Sequence, residues 1–375
     1  MKYIEEFRAP QHARRLIDAI AAEATGNAYR LMEFCGGHTH ALCRHGLAAV
    51  LPANLRMIHG PGCPVCVLPI GRLDGAIAIA GMENAILCSY GDMLRVPASH
   101  GMTLLKAKAQ GGDVRLVYSA LQAVEIAAHN PAREVVFFAI GFETTTPPTA
   151  VAIIEARRHG LRNFFVYCNH VLTPAAIHAI MAHEGQEQAP RIDGFVGPGH
   201  VSAVIGAEAY AGIARRYRRP IAIAGFEPVD MLIAIHDLVR QVNRGTALVN
   251  NLYARAVHPH GNGKAQALMA DVFALRDSFA WRGLGEIAKS ALRLSPRYHA
   301  HDAELHFDLP RTQAADHKAC ACGDILRGAK EPADCAVFAR ACTPESPLGA
   351  CMVSSEGACA AHYRYQRGKA MEERG

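Results

Sequence analysis

The sequence predicts an α/β protein built as two parallel-sheet α/β domains followed by a cysteine-rich C-terminal domain. Three observations predict it. Short runs of β-branched and aromatic residues alternate with helix-start signals across Gly-containing turns. A chain of 375 residues with 50% hydrophobic residues can fill more than one core. Near Leu294 the alternation stops, and a tail rich in Cys, Pro and Gly begins.

The strand–turn–helix units follow in order. Residues 134–140 (Glu-Val-Val-Phe-Phe-Ala-Ile) read as a strand that ends at Gly141. Thr144, Thr145, Thr146, Pro147 and Pro148 then supply a helix cap and first turn for residues 149–157. Residues 163–167 lead to Thr173-Pro174 and a helix, and residues 194–196 lead to Gly-Pro-Gly-His and a helix from Val201. Residues 220–224 lead to Gly-Phe-Glu-Pro and a helix from about Val229. The apolar stretch 76–80 reads as a buried strand or helix. This grammar places functional loops at the C-terminal ends of parallel strands. Gly-Pro-Gly recurs at 60–62 and 197–199, and Gly-Phe-Glu at 141–143 and 225–227. These echoes fit two related halves or a repeated turn solution equally well. The expected domains are 30–130, 131–293, with a discontinuous path left open between them, and 294–375, with 1–29 a candidate addition to the last.

Charge excludes some classes. The 39 basic and 34 acidic residues leave a net charge of +5 with no long run of one sign, and aromatic residues make up 7%. A nucleic-acid binder would show a clustered basic stripe. Arg215, Arg216, Arg218 and Arg219 read instead as a solvated helix end before Pro220. Residues 1–8 carry no apolar core of signal-peptide length, and no run of about 18 apolar residues occurs. The expectation is a soluble, cytoplasmic protein that binds neither membrane nor nucleic acid.

In a reducing compartment, the 12 cysteines point to metal or redox chemistry rather than a disulfide framework. Six lie between Cys35 and Cys168, and six between Cys320 and Cys359. In Glu33-Phe34-Cys35-Gly36-Gly37-His38-Thr39-His40, Cys35 and His38 can face one metal, or His38 can keep Cys35 as a thiolate. A buried Cys beside a satisfied His is the plainer alternative. In His59-Gly60-Pro61-Gly62-Cys63-Pro64-Val65-Cys66, the paired cysteines can chelate a soft metal or cycle between dithiol and disulfide. Ligand softness alone does not separate iron from zinc at such sites. In the tail, Cys320, Cys335, Cys342 and Cys359 are separated by fourteen, six and sixteen residues. Four thiolates suit a 4Fe–4S cluster or a zinc ion, and Cys322 and Cys351 remain open as ligands. Glu143 and His200 follow Gly in turns at strand ends and are expected to project from exposed loops. The same turns place Ser202, Glu227 and Asp230 as caps or loop hydrogen bonders.

Together, Cys35-Gly-Gly-His38-Thr-His40, Gly60-Pro-Gly-Cys63-Pro-Val-Cys66, Gly141-Phe-Glu143-Thr-Thr-Thr-Pro147, Gly197-Pro-Gly-His200-Val-Ser202 and the tail from Cys342 to Tyr365 resemble the signature segments of the HypD family, in the same order. The resemblance covers about residues 33–365. It implies a scaffold and redox protein for assembly of the Fe(CN)2CO group of nickel–iron hydrogenase. It implies iron held on Cys35, Cys63 and Cys66, a HypC-type small chaperone that adds a cysteine, and a HypE-type cyanide donor. It further implies a 4Fe–4S cluster on Cys320, Cys335, Cys342 and Cys359, in a cluster domain beside two α/β domains. His38, Glu143 and His200 inherit a place at the assembly site. On this reading the chain is a metal-centre assembly factor with thiol redox activity. Cys63 and Cys66 alternate between dithiol and disulfide, and the tail lies near the Cys66 loop to recharge them.

The rival reading is a free-standing iron–sulfur thiol/disulfide reductase, which needs no chaperone. A structural zinc module is a second rival. A dinucleotide-binding dehydrogenase lacks its Gly-x-Gly-x-x-Gly after a strand.

Overall fold

The computed structural model describes residues 5–185, 189–310, 314 and 316–372. The termini of the expected spans 1–29 and 294–375 therefore lie partly outside the described residues.

Two parallel sheets form the body. The first combines β1 (Tyr29–Glu33), β2 (Leu55–His59), β7 (Gly194–Pro198), β8 (Ile221–Ala224) and β9 (Val249–Asn251) in the order β2-β1-β7-β8-β9. The second combines β3 (Ala85–Ser89), β4 (Val114–Leu116), β5 (Glu134–Gly141) and β6 (Phe164–His170) in the order β4-β3-β5-β6. Residues 85–170 are thus inserted between two stretches that share one sheet. Neither 30–130 nor 131–293 corresponds to a single sheet. The pairing that joins the two stretches is β1 with β7, Leu31 facing Gly194 and Glu33 facing Val196.

Strands β3 and β6 are buried along their whole length, as helix-covered parallel strands must be. The helices form where the sequence signals them. Pro147 and Pro148 open the helix Thr146–Arg158, Pro174 opens Thr173–Ala182, and Pro228 opens Pro228–Arg244. Pro suits a first turn because its missing N–H would have no intrahelical partner there. The helix Pro228–Arg244 ends at Gly245, whose φ of 65° is the left-handed cap that Gly adopts without a Cβ penalty. The stretch 76–80 belongs to the helix Ile70–Ala80. The arginine stretch is a helix end: Arg218 closes Ala211–Tyr217, and Arg219 bonds the Ile192 carbonyl and Glu184.

Two small antiparallel pairs follow, β10 (Phe273–Leu275) with β13 (Leu292–Leu294) and β11 (Ser278–Trp281) with β12 (Gly285–Ala288). Among the described residues after Leu294 there is no strand. That segment consists of short helical turns and the helix Ala358–Glu372. It folds back onto the first sheet. Gly328 sits so close to Ile58 that a Cβ there would lie 2.3 Å from the Ile58 side chain. No helix among the described residues is long and apolar enough to cross a membrane.

Candidate metal and thiol centre

The first cysteine loops leave adjacent parallel strands at one level. Glu33 and His59, the last residues of β1 and β2, are register partners. Each strand then turns into a short helix capped by a cysteine. Cys35 caps Gly36–Arg44, its sulfur accepting from the Gly37 amide at 3.3 Å. Cys63 caps Pro64–Val67, its sulfur accepting from the Cys66 amide at 3.2 Å. The loops touch backbone to backbone, the Gly36 amide donating to the Gly62 carbonyl at 3.1 Å. A Cβ on Gly62 would stand 2.4 Å from the Cys35 nitrogen, so only glycine lets the second loop rest on the first. Cys63 and Cys66 form a disulfide with Cα atoms 5.2 Å apart.

His200, at the start of the helix Gly199–Ile205 after β7, reaches the same place. Its Nδ1 lies 3.4 Å from the Cys35 sulfur. Burial, followed by the neighbouring His38, lowers His200 to about 4. Burial pushes the Cys35 thiol far above the ordinary cysteine range, and the nearby carboxylates of Glu33 and Glu356 add to it. Near neutral pH the pair is therefore a protonated thiol beside a neutral imidazole.

His38 takes a different position. Its Nε2 lies 3.0 Å from the Gly225 carbonyl and 3.3 Å from that of Ala224, fastening the Cys35 helix to the end of β8. Its Nδ1 has no hydrogen-bond partner among the described residues. His40 points outward, 2.9 Å from the Tyr365 hydroxyl.

Glu143 does not project from an exposed loop. It is 1% exposed, its carboxylate accepting from the Thr173 amide at 2.8 Å and the Thr173 hydroxyl at 2.9 Å. The next crossover packs its helix start over the β5 turn and buries the acid. Burial lifts Glu143 to about 7 against the pull of those bonds.

The sequence reading passed over three residues. Glu33 is wholly buried; its carboxylate accepts from the Cys35 amide at 2.8 Å and from the Thr39 hydroxyl, and lies 2.9 Å from His59 Nδ1. Glu356 packs against Gly36. His362 meets His59. The only local signal was their place beside the cysteine motifs.

In the tail, Cys320, Cys322, Cys335, Cys342, Cys351 and Cys359 line one small cavity with Ile325, Val337, Phe338 and Met352. Gly349 clears its wall, since a Cβ there would lie 2.5 Å from the Cys320 sulfur. The Cys322 thiol and then burial push Cys320 up, and burial raises Cys342. Thiolates gathered in so dry a pocket need a cationic centre to ionise, and an iron–sulfur cluster fits that donor set. The turn Ala350–Met352, which carries Cys351, packs against Pro64–Val67, which carries Cys66. All these cysteines share one apolar core with Cys63 and Cys66.

The family profile described as HypD, hydrogenase formation hypA family, matches residues 11–366. A hydrogenase maturation factor HypD from Azotobacter vinelandii is 58% identical over 98% of this chain and 97% of its own length. One from Cupriavidus necator is 58% identical over 98% of both chains. One from Escherichia coli K12 is 44% identical over 98% of this chain and 99% of its own.

Proposed function

The chain belongs to the HypD family of hydrogenase maturation factors, and from that premise we propose that it holds iron on Cys35, Cys63 and Cys66 while the Fe(CN)2CO group of nickel–iron hydrogenase is assembled. A HypC-type chaperone adds a further cysteine, and a HypE-type partner brings cyanide as a thiocyanate. The observation that carries this reading is the contact between the two cysteine loops, with His200 against the Cys35 sulfur.

Iron is the cargo. Thiolates are its soft ligands, and each must lose a proton to bind. At Cys35 the proton acceptor is His200 Nδ1, the imidazole nitrogen already beside the sulfur. Reduced Cys63 and Cys66 provide the other two thiols. Glu33 holds the Cys35 amide and so fixes the direction in which the sulfur points.

Release of cyanide from a thiocyanate takes two electrons and one proton, and yields a thiol and a cyanide ion. Oxidation of the metal-free Cys63–Cys66 dithiol to a disulfide supplies two electrons and two protons, leaving one proton over, and the pair must be reduced again before it ligates iron. That balance gives the pair a role beyond ligation. Cys320, Cys335, Cys342 and Cys359 would hold a 4Fe–4S cluster, which when bound supplies one-electron reduction. The packing of the Cys351 turn on the Cys66 turn supports electron supply from the tail.

Thiol trapping tests the redox part. Cys63 and Cys66 should be blocked as a disulfide in oxidised protein and alkylated after reduction, with slower reduction in Cys342→Ala. Unchanged reduction in that variant leaves only the scaffold role. Co-purification with a small protein bearing an N-terminal cysteine separates this function from a free-standing reductase.

A further inference from the structure

A second cluster of metal-ligating side chains lies outside the cysteine loops, at the end of β2. His59 is buried there, with its two ring nitrogens engaged on opposite sides. Nδ1 lies 2.9 Å from the Glu33 carboxylate, and Nε2 lies 2.8 Å from Nε2 of His362. The two rings stand at 89° with centroids 5.0 Å apart, so neither stacks on the other. Glu331 closes the third side: one ligand atom each from His59, His362 and Glu331 lie within 4.8 Å of one another.

Two imidazole nitrogens 2.8 Å apart cannot both carry protons, and two bare lone pairs would repel. One proton bridges them, and it stands where a cation would. Glu33 accepts the Nδ1–H of His59 and so leaves its Nε2 as a lone pair facing His362. This carboxylate–imidazole relay is the support that metal-ligating histidines usually have. Glu331 is held as well, by the Asp334 amide and by Arg56 at 3.1 Å. Arg56 is 57% exposed, so its pairing is a weak competitor that can swing into water.

We propose that His59, His362 and Glu331 bind one divalent transition-metal ion, such as zinc or ferrous iron, through two imidazoles and a carboxylate. The nitrogen and oxygen donors set this site apart from the sulfur sites on either side. The ion joins parts of the chain that are far apart in sequence, His59 and His362 being 303 residues distant. One ligand ends the strand that feeds the Cys63 loop, and another lies on the helix Ala358–Glu372 that begins beside Cys359. A bound metal would therefore staple the cysteine tail to the first sheet.

The test uses the full chain with its cluster, carrying Cys35→Ser and kept with the Cys63–Cys66 disulfide intact, so that neighbouring thiols do not take the probe. Zinc affinity is measured against a chromophoric chelator, the coordination shell by X-ray absorption at the zinc edge, and the melting temperature with and without zinc. One equivalent should bind with a nitrogen and oxygen shell and raise the melting temperature. His362→Gln and Glu331→Gln, checked for native circular dichroism, should each weaken binding at least about tenfold. A sulfur shell, or affinity in either variant within threefold of the parent, overturns the site and leaves a plain histidine–histidine hydrogen bond.

Discussion

The Cys35 sulfur and His200 Nδ1 stand 3.4 Å apart although 165 residues separate them in the chain. The pairing of β1 with β7 creates this approach, because Cys35 and His200 each lie two residues past the end of their strand. An imidazole lowered to about 4 is a weak base at rest, and on the proposed reading it takes the thiol proton only when iron competes for the sulfur. His200→Ala should therefore weaken iron binding by about 10–100-fold. Its melting temperature should stay close to the parent's, since the side chain is only partly buried. Iron titration with parallel melting curves checks this, and a collapse in melting temperature would make His200 structural.

Glu143 should make stability depend on pH in an unusual direction. Burial raises its carboxyl from 4.5 to about 7, so the folded state binds more protons than the unfolded state between those values. The stability it contributes is full below about pH 4.5 and is lost as pH rises through about 7. The loss is on the order of 3 kcal/mol. In Glu143→Gln this slope disappears. Melting curves from about pH 5 to about pH 8 should show the parent falling relative to the variant; parallel curves would contradict it.

Cys342→Ala should abolish the visible sulfur-to-iron absorption and the acid-labile sulfide, whereas Cys322→Ser and Cys351→Ser should keep both. Iron and sulfide analysis of anaerobic protein decides this. A full cluster in Cys342→Ala would bring Cys322 or Cys351 into the ligand set.

Gly62→Ala should part the two cysteine loops, because its Cβ meets the Cys35 backbone rather than a movable side chain. Such overpacking costs about 1–3 kcal/mol. A lower melting temperature together with weaker iron binding is the expected result. Unchanged values of both would show that the loops do not depend on this contact.

The α/β units were legible because strand, turn and helix signals are local. Residues 134–157 read correctly from β-branched runs, Gly141 and the Thr-Pro-Pro turn. Sheet membership was not legible: nothing near Leu31 names Gly194 as its partner. The same division holds at the site. Cys35, Cys63 and Cys66 stood out by type and spacing, and Gly60 to Gly62 marked a tight turn. That His38 binds the end of β8 while His200 meets the sulfur depends on the strand order. Glu143 looked like a loop acid because only the packing of the Thr173 turn removes it from water. In the tail, spacing left Cys322 and Cys351 open beside the four cysteines that the family resemblance favours, and all six line one cavity.

On the proposed reading, Cys35, Cys63 and Cys66 carry the iron on which cyanide and carbon monoxide are assembled. Infrared spectroscopy of the full chain, purified anaerobically with its small partner from cells making nickel–iron hydrogenase, tests it most directly. The parent should show cyanide and carbonyl stretching bands of an iron-bound group, and Cys35→Ser, Cys63→Ser and Cys66→Ser should each lose them while keeping the cluster absorption of the tail. Bands that persist in these variants, or that never appear in the parent complex, would contradict the account.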